Sequence, residues 1–137
     1  MTLWFLFLFL LVWNGPAFGD WVPLGGDDKT GLTIYADTTG TSYYGLPRTV
    51  WILYDFESVQ GKEEDRFYRS VKVQREYDCR KERRRLLEIM HYGGPMGLGE
   101  VVFTNTFSPA RWIPAAPVEP GTLANDLWTR VCPKSQE

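Results

Sequence analysis

The chain has 137 residues, 44% of them hydrophobic, with 15 basic against 17 acidic side chains and a formal net charge of −2. That near balance excludes a global field for drawing in nucleic acid or an anionic membrane, so charge can matter only where it is locally dense. With 2 cysteines and 1 histidine, there is also little material for metal chemistry.

The first nineteen residues carry no Lys, Arg, Asp or Glu, and residues 3–13 form an unbroken apolar run. The run has the length of a signal-peptide core and falls well short of the roughly 20 residues that span a bilayer. Ala17 and Gly19 place small residues at −3 and −1 before Asp20. Residues 1–19 therefore read as a secretory signal peptide; with no Lys or Arg before the apolar run, either the signal is atypical or the true start lies upstream. Residues 20–137 remain, enough for one domain with one core. In an exported chain Cys79 and Cys132 read first as a disulfide, because the cytosol's reducing systems are absent. The crosslink closes a loop of about 53 residues and is worth about 4 kcal/mol on the chain-entropy model. The alternative, a metal pair, has only His91 and no Cys-x-x-Cys to complete a closed zinc site.

In chain order, residues 21–24 are a short apolar segment with Pro23 inside it, which suits an edge strand, and residues 25–31 read as a turn. Residues 32–37 alternate, with Leu32, Ile34 and Ala36 on one face, and residues 38–42 end that strand with small polar side chains. Residues 49–56 give the strongest strand signal, rich in β-branched and aromatic side chains. Val50, Ile52, Tyr54 and Phe56 share one side and Trp51 and Leu53 the other, as in a central strand covered on both faces. The cover over Trp51 and Leu53 is either more of the same chain, a ligand or a second subunit, which makes these two residues a candidate homodimer interface.

Residues 58–66 read as a polar loop and residues 69–79 as a long strand with Val71, Val73, Tyr77 and Cys79 facing inward. Ten of the 15 basic residues and seven of the 17 acidic ones lie between Glu57 and Arg85. A charged contact surface is therefore sought here, with Lys62, Arg66, Arg69, Lys72, Arg80, Lys81, Arg83, Arg84 and Arg85 as candidate binding residues. Residues 80–85 are the dense basic cluster, read as a solvated turn or as a site for an anionic glycan, a lipid headgroup or an acidic protein patch. Without aromatic interleaving it is a weak nucleic-acid signal, and no nucleic-acid partner is expected.

Residues 86–92 lack a clean period. They read as strand because residues 93–99, with four glycines, make a hairpin-type connection into a further strand over residues 100–107. No Gly-Lys-Ser/Thr follows those glycines, so a phosphate loop is rejected. His91 has no serine or cysteine nucleophile motif near it, and no catalytic residue, metal or cofactor is expected. Residues 112–121 form a proline-rich crossing that cannot be a central strand. Thr122 then caps a helix in which Ala124, Leu127, Trp128 and Val131 recur at helical spacing beside Cys132, so both cysteines fall on apolar faces. The fold class is α+β, an antiparallel sheet of about five or six strands with one C-terminal helix packed on a face and tethered by the disulfide.

Three stretches carry a family likeness: Ile34-Tyr35-Ala36-Asp37, Arg66-Phe67-Tyr68-Arg69-Ser70 and Leu127-Trp128-Thr129-Arg130-Val131-Cys132. Through them the chain resembles the surface-adhesin protein E-like family. The resemblance implies an antiparallel sheet with a helix tethered by the two cysteines, in an exported envelope protein of Gram-negative bacteria. It also implies adhesin-like binding of host matrix proteins, as by the family's namesake. That namesake is a lipoprotein, whereas the first 20 residues here contain no cysteine to receive a lipid. A periplasmic or secreted protein is expected, not a surface lipoprotein. The leading expectation is a non-enzymatic binding or accessory module; the alternatives are a small periplasmic enzyme and a purely structural homodimer.

Overall fold

The computed structural model describes residues 21–37, 47–62, 66–115 and 119–132. The signal peptide expected over residues 1–19, the polar strand end at 38–42 and parts of the segments at 58–66 and 112–121 lie outside them. Seven strands form one sheet: β1 (Val22–Asp27), β2 (Leu32–Asp37), β3 (Arg48–Gln60), β4 (Tyr68–Asp78), β5 (Arg83–Tyr92), β6 (Val101–Thr106) and β7 (Ile113–Pro114). Strands β1 to β6 are an antiparallel meander in sequence order. The two-residue β7 shares an edge of β5 with β6: Ile113 lies opposite Arg84 and Pro114 opposite Arg83, whereas β6 pairs with Glu88–Tyr92. Proline has no N–H to give to a ladder, so this segment joins the sheet only briefly and at an edge.

A single helix, α1 (Leu123–Val131), closes the described chain. The alternation of β2, β3 and β4 puts Ile34, Ala36, Val50, Ile52, Val73 and Tyr77 on one face, where they form a buried core with Leu127 and Val131 of α1. Val50, Ile52, Leu127 and Val131 are at most 2% exposed. Each such aliphatic side chain contributes roughly 1.5–3 kcal/mol through burial. Both ends of α1 are held. The Thr122 hydroxyl accepts the Asn125 N–H at 3.2 Å, and Arg48 Nη1 donates to the Val131 carbonyl at 2.6 Å, a cation at the negative end of the helix. Cys132 follows and bonds Cys79 with the Cα atoms 5.5 Å apart, as a helix-to-sheet disulfide requires. Leu123, not Ala124, packs on the core, and Ala124 is exposed. The cap at Thr122 makes Leu123 the first helical residue, which sets the stripe at 123, 127 and 131, four residues apart.

The second face of β3 is covered in part by the chain itself. The connection between β5 and β6 folds back, and its 3-10 turn Pro95–Gly97 packs on β3 and β4. The buried Ser70 hydroxyl donates to the Gly94 carbonyl at 2.7 Å and accepts the Gly97 N–H at 2.8 Å, while Asp55 Oδ1 accepts the Met96 N–H at 2.8 Å. Leu53 lies opposite Lys72 in the ladder and is fully buried. Gly97 has a φ of +67°, which favours glycine, and a Cβ there would displace the end of the Lys72 side chain.

Three boundaries depart from the sequence reading. β1 runs on to Asp27, through residues 25–27 that read as turn. β3 continues to Gln60, so residues 58–60 are strand, and β5 begins at Arg83 instead of Leu86. Arg83, Arg84 and Arg85 thus belong to the ladder, not to a turn. The reason lies across the hairpin, where Asp78 faces Arg83 and Glu76 faces Arg85, opposite charges directly paired.

Candidate functional site

The β4–β5 turn is built around Asp78. Its carboxylate is buried and accepts the Lys81 N–H at 3.1 Å and Arg83 Nε at 3.2 Å. Burial pulls the pKa of Asp78 upward, but the bonds from Lys81 and Arg83 and the positive charge of both residues outweigh it and hold the carboxyl below its usual value. Glu82 closes the turn with a φ of +51°, and its carbonyl accepts the Ala115 N–H at 2.9 Å, which fastens β7 beside the turn. Cys79, also in the turn, carries the disulfide to the end of α1.

Arg83 and Arg85 are two residues apart on β5 and so share a face. Both guanidinium carbons lie 4.3 Å from the centroid of the Trp112 ring. Arg85 Nη2 donates to Glu76 Oε1 at 2.8 Å, and Arg85 Nε is buried without a hydrogen-bond partner among the described residues. The indole's π-face offsets part of that cost by attracting the cation. Lys81, Glu82, Arg83, Trp112, Ile113 and Pro114 line an open cleft of about 390 Å³ beside this cluster. The pairing of 78 with 83 and of 76 with 85 comes from the register of the hairpin. Trp112 was missed because nothing near it in the chain says which side chains it meets.

The nine candidate basic residues do not form one surface. β4 has 11 residues, and at about 3.3 Å per residue its ends lie about 30 Å apart. Lys62, Arg66 and Arg69 lie toward one end, Arg80, Lys81, Arg83, Arg84 and Arg85 at the other. Arg69 donates to the carbonyls of Phe56 and Glu57 at 3.3 and 2.9 Å, a structural task. Arg66 lies 6.0 Å from the Phe103 ring. Lys72 Nζ sits on the Leu53 face, 5.9 Å from Trp21 and 5.2 Å from Tyr92. Arg84 projects to the α1 side, opposite Tyr77. Of the candidate interface pair, Leu53 is wholly buried and Trp51 half-buried, so a partner would reach Trp51 alone.

His91 belongs to an aromatic row across four strands. Its ring stacks on Phe103 at 3.8 Å and meets Tyr68 edge-on at 4.6 Å, and Phe56 follows 6.2 Å from Tyr68. Burial lowers the pKa of His91, and its Nδ1 is buried without a hydrogen-bond partner among the described residues. Among the described residues no group of three or more His, Cys, Asp or Glu side chains could hold a metal ion.

No curated protein and no solved structure matches the chain. The disulfide fits a location outside the reducing cytosol. A stapled antiparallel sheet whose helix is tied back to the β4–β5 turn is what the motifs around Tyr35, Tyr68 and Trp128 imply, and the family model for surface-adhesin protein E matches residues 21–133: the chain belongs to that family of exported or surface proteins.

Proposed function

We propose that this chain is a non-enzymatic binding module of the bacterial envelope, periplasmic or secreted, that works by adhesin-like contact. Membership of a surface-adhesin family over residues 21–133 is the observation that carries the reading. The cationic β4–β5 end is its contact surface. Arg80 and Lys81 are exposed there, on a turn fixed by the Asp78 carboxylate and the disulfide, so a partner meets charges on a rigid support. An enzyme would want His91 in a cleft with carboxylates; its place between Phe103 and Tyr68, away from the cleft at Lys81 and Trp112, supports a packing role instead.

Contact through exposed cations is salt-sensitive and acts chiefly on the association rate. The exported protein is expected to bind immobilised extracellular-matrix or envelope preparations in a sensor-chip assay. Arg80→Glu should weaken that binding and flatten its salt dependence, with the melting temperature unchanged. Equal binding by this variant removes the β4–β5 end as the contact surface, and no binding to either preparation overturns the module reading.

A further inference from the structure

We infer that the cleft beside Trp112 takes a unit of an anionic polysaccharide, a sugar chain bearing carboxylate or sulfate groups. The inference rests on the binding-module reading and names its ligand class. The cleft's volume of about 390 Å³ lies inside the range of about 300–1,000 Å³ usual for small-molecule sites, and it is open to solvent.

The lining matches such a ligand group by group. Arg83 is held by its Nε bond to Asp78 and by the Trp112 ring, while its terminal nitrogens have no hydrogen-bond partner among the described residues. A guanidinium fixed in this way presents two parallel N–H donors to a carboxylate or sulfate with little entropy left to lose. Lys81 is exposed and adds a second cation. Glu82 offers a carboxylate that accepts from sugar hydroxyls, and Ile113 and Pro114 give an apolar wall for the C–H face of a ring. An acidic peptide fits less well, because β7 is too short and too poor in N–H groups to accept it as an added strand.

Charge points the same way. At the turn and its cleft face Arg80, Lys81, Arg83 and Arg85 stand against Glu76, Asp78 and Glu82, four cations to three carboxylates, in a chain whose net charge is −2. Glu76 and Asp78 are already bonded to Arg85 and Arg83. A polyanion is therefore attracted to this end in preference to the rest of the surface.

The test measures binding of the exported protein to heparin, which carries sulfate, to hyaluronan, which carries only carboxylate, and to neutral dextran, with polyglutamate as a competing acidic peptide. Heparin is expected to bind in a salt-dependent manner and dextran not to bind. Hyaluronan binding as well shows that carboxylate suffices; heparin alone shows that sulfate is required; both support the inference. Lys81→Gln and Ile113→Glu, two changes at exposed positions that spare the Asp78–Arg83 pair, should each weaken heparin binding, by about tenfold for Ile113→Glu, which sets a repelling carboxylate in the cleft. Lys62→Gln with Arg66→Gln, at the far end, should change it by less than about twofold. Tighter binding of polyglutamate, equal binding of dextran, or equal losses from far-end and cleft variants overturns the sugar site. Absence of binding to all four probes also overturns it, and the sensor-chip assay then shows separately whether the module reading survives.

Discussion

Asp78 sits where burial works against its charge and the bonds from Lys81 and Arg83 work for it, with the charge winning. Its folded-state pKa is therefore below the unfolded value of 3.8. The stabilisation is fully present above that value and is lost as the pH falls through the folded pKa. Asp78→Asn removes a charge-assisted bond to Arg83 and should lower stability by about 2 kcal/mol near neutrality. Denaturant midpoints of wild type and variant, measured from pH 6 down to pH 2, should converge on the acid side. A constant gap across that range would show that the carboxylate's charge contributes nothing beyond its shape. Trp112 acts at the same scale but reached no sequence-level inference, since an indole in a proline-rich segment carries no local mark of the two guanidiniums it contacts.

Among the elements, α1 depends most on what lies outside it. It has 9 residues, too short to persist alone in water, and is held by Leu127 and Val131 in the core, by Arg48 on its last carbonyl and by the bond from Cys132 to Cys79. Replacing both cysteines by serine should lower stability by about 2–5 kcal/mol, read as a fall in melting temperature with loss of helical circular dichroism before loss of the sheet signal. Coincident loss of both signals would make α1 and the sheet one cooperative unit that the crosslink does not subdivide. The existence of the helix and of β2, β3 and β4 was legible because period and face agree with burial: Ile34, Ala36, Val50, Ile52 and Val73 all fall inward as their alternation demands. The start of β5 was not legible. Three consecutive arginines read as turn until Asp78 and Glu76 are placed opposite them, and that placement depends on pairing, not on local preference. The cover over Leu53 was hidden for the same reason, because it comes from a connection about forty residues further along.

For the molecule as a whole, the meander separates functions along the strands. The Ser70 network anchors the 3-10 turn toward one end of β4, and the Asp78 network organises the cationic turn at the other, about 26 Å away. Ser70→Ala strands the Gly97 N–H and should cost about 1–3 kcal/mol. Combined with Asp78→Asn, its cost should add to within about 0.5 kcal/mol in chemical denaturation, because the two sites share no partner. A larger coupling would mean that β4 transmits strain between its ends. The candidate site was legible only as a density of charge in the sequence; which cations gather and which disperse follows from the length of β4 and the direction of each side chain. The disulfide has one more consequence for an exported or surface protein exposed to proteases. Residues 80–131 lie within the ring it closes. Hydrolysis of a single peptide bond there, in the glycine-rich stretch at 93–99 or beside Pro109, opens the ring without dividing the molecule. The nicked protein keeps β1 to β4 covalently joined to α1, and its fragments separate on a gel only after a thiol reductant is added.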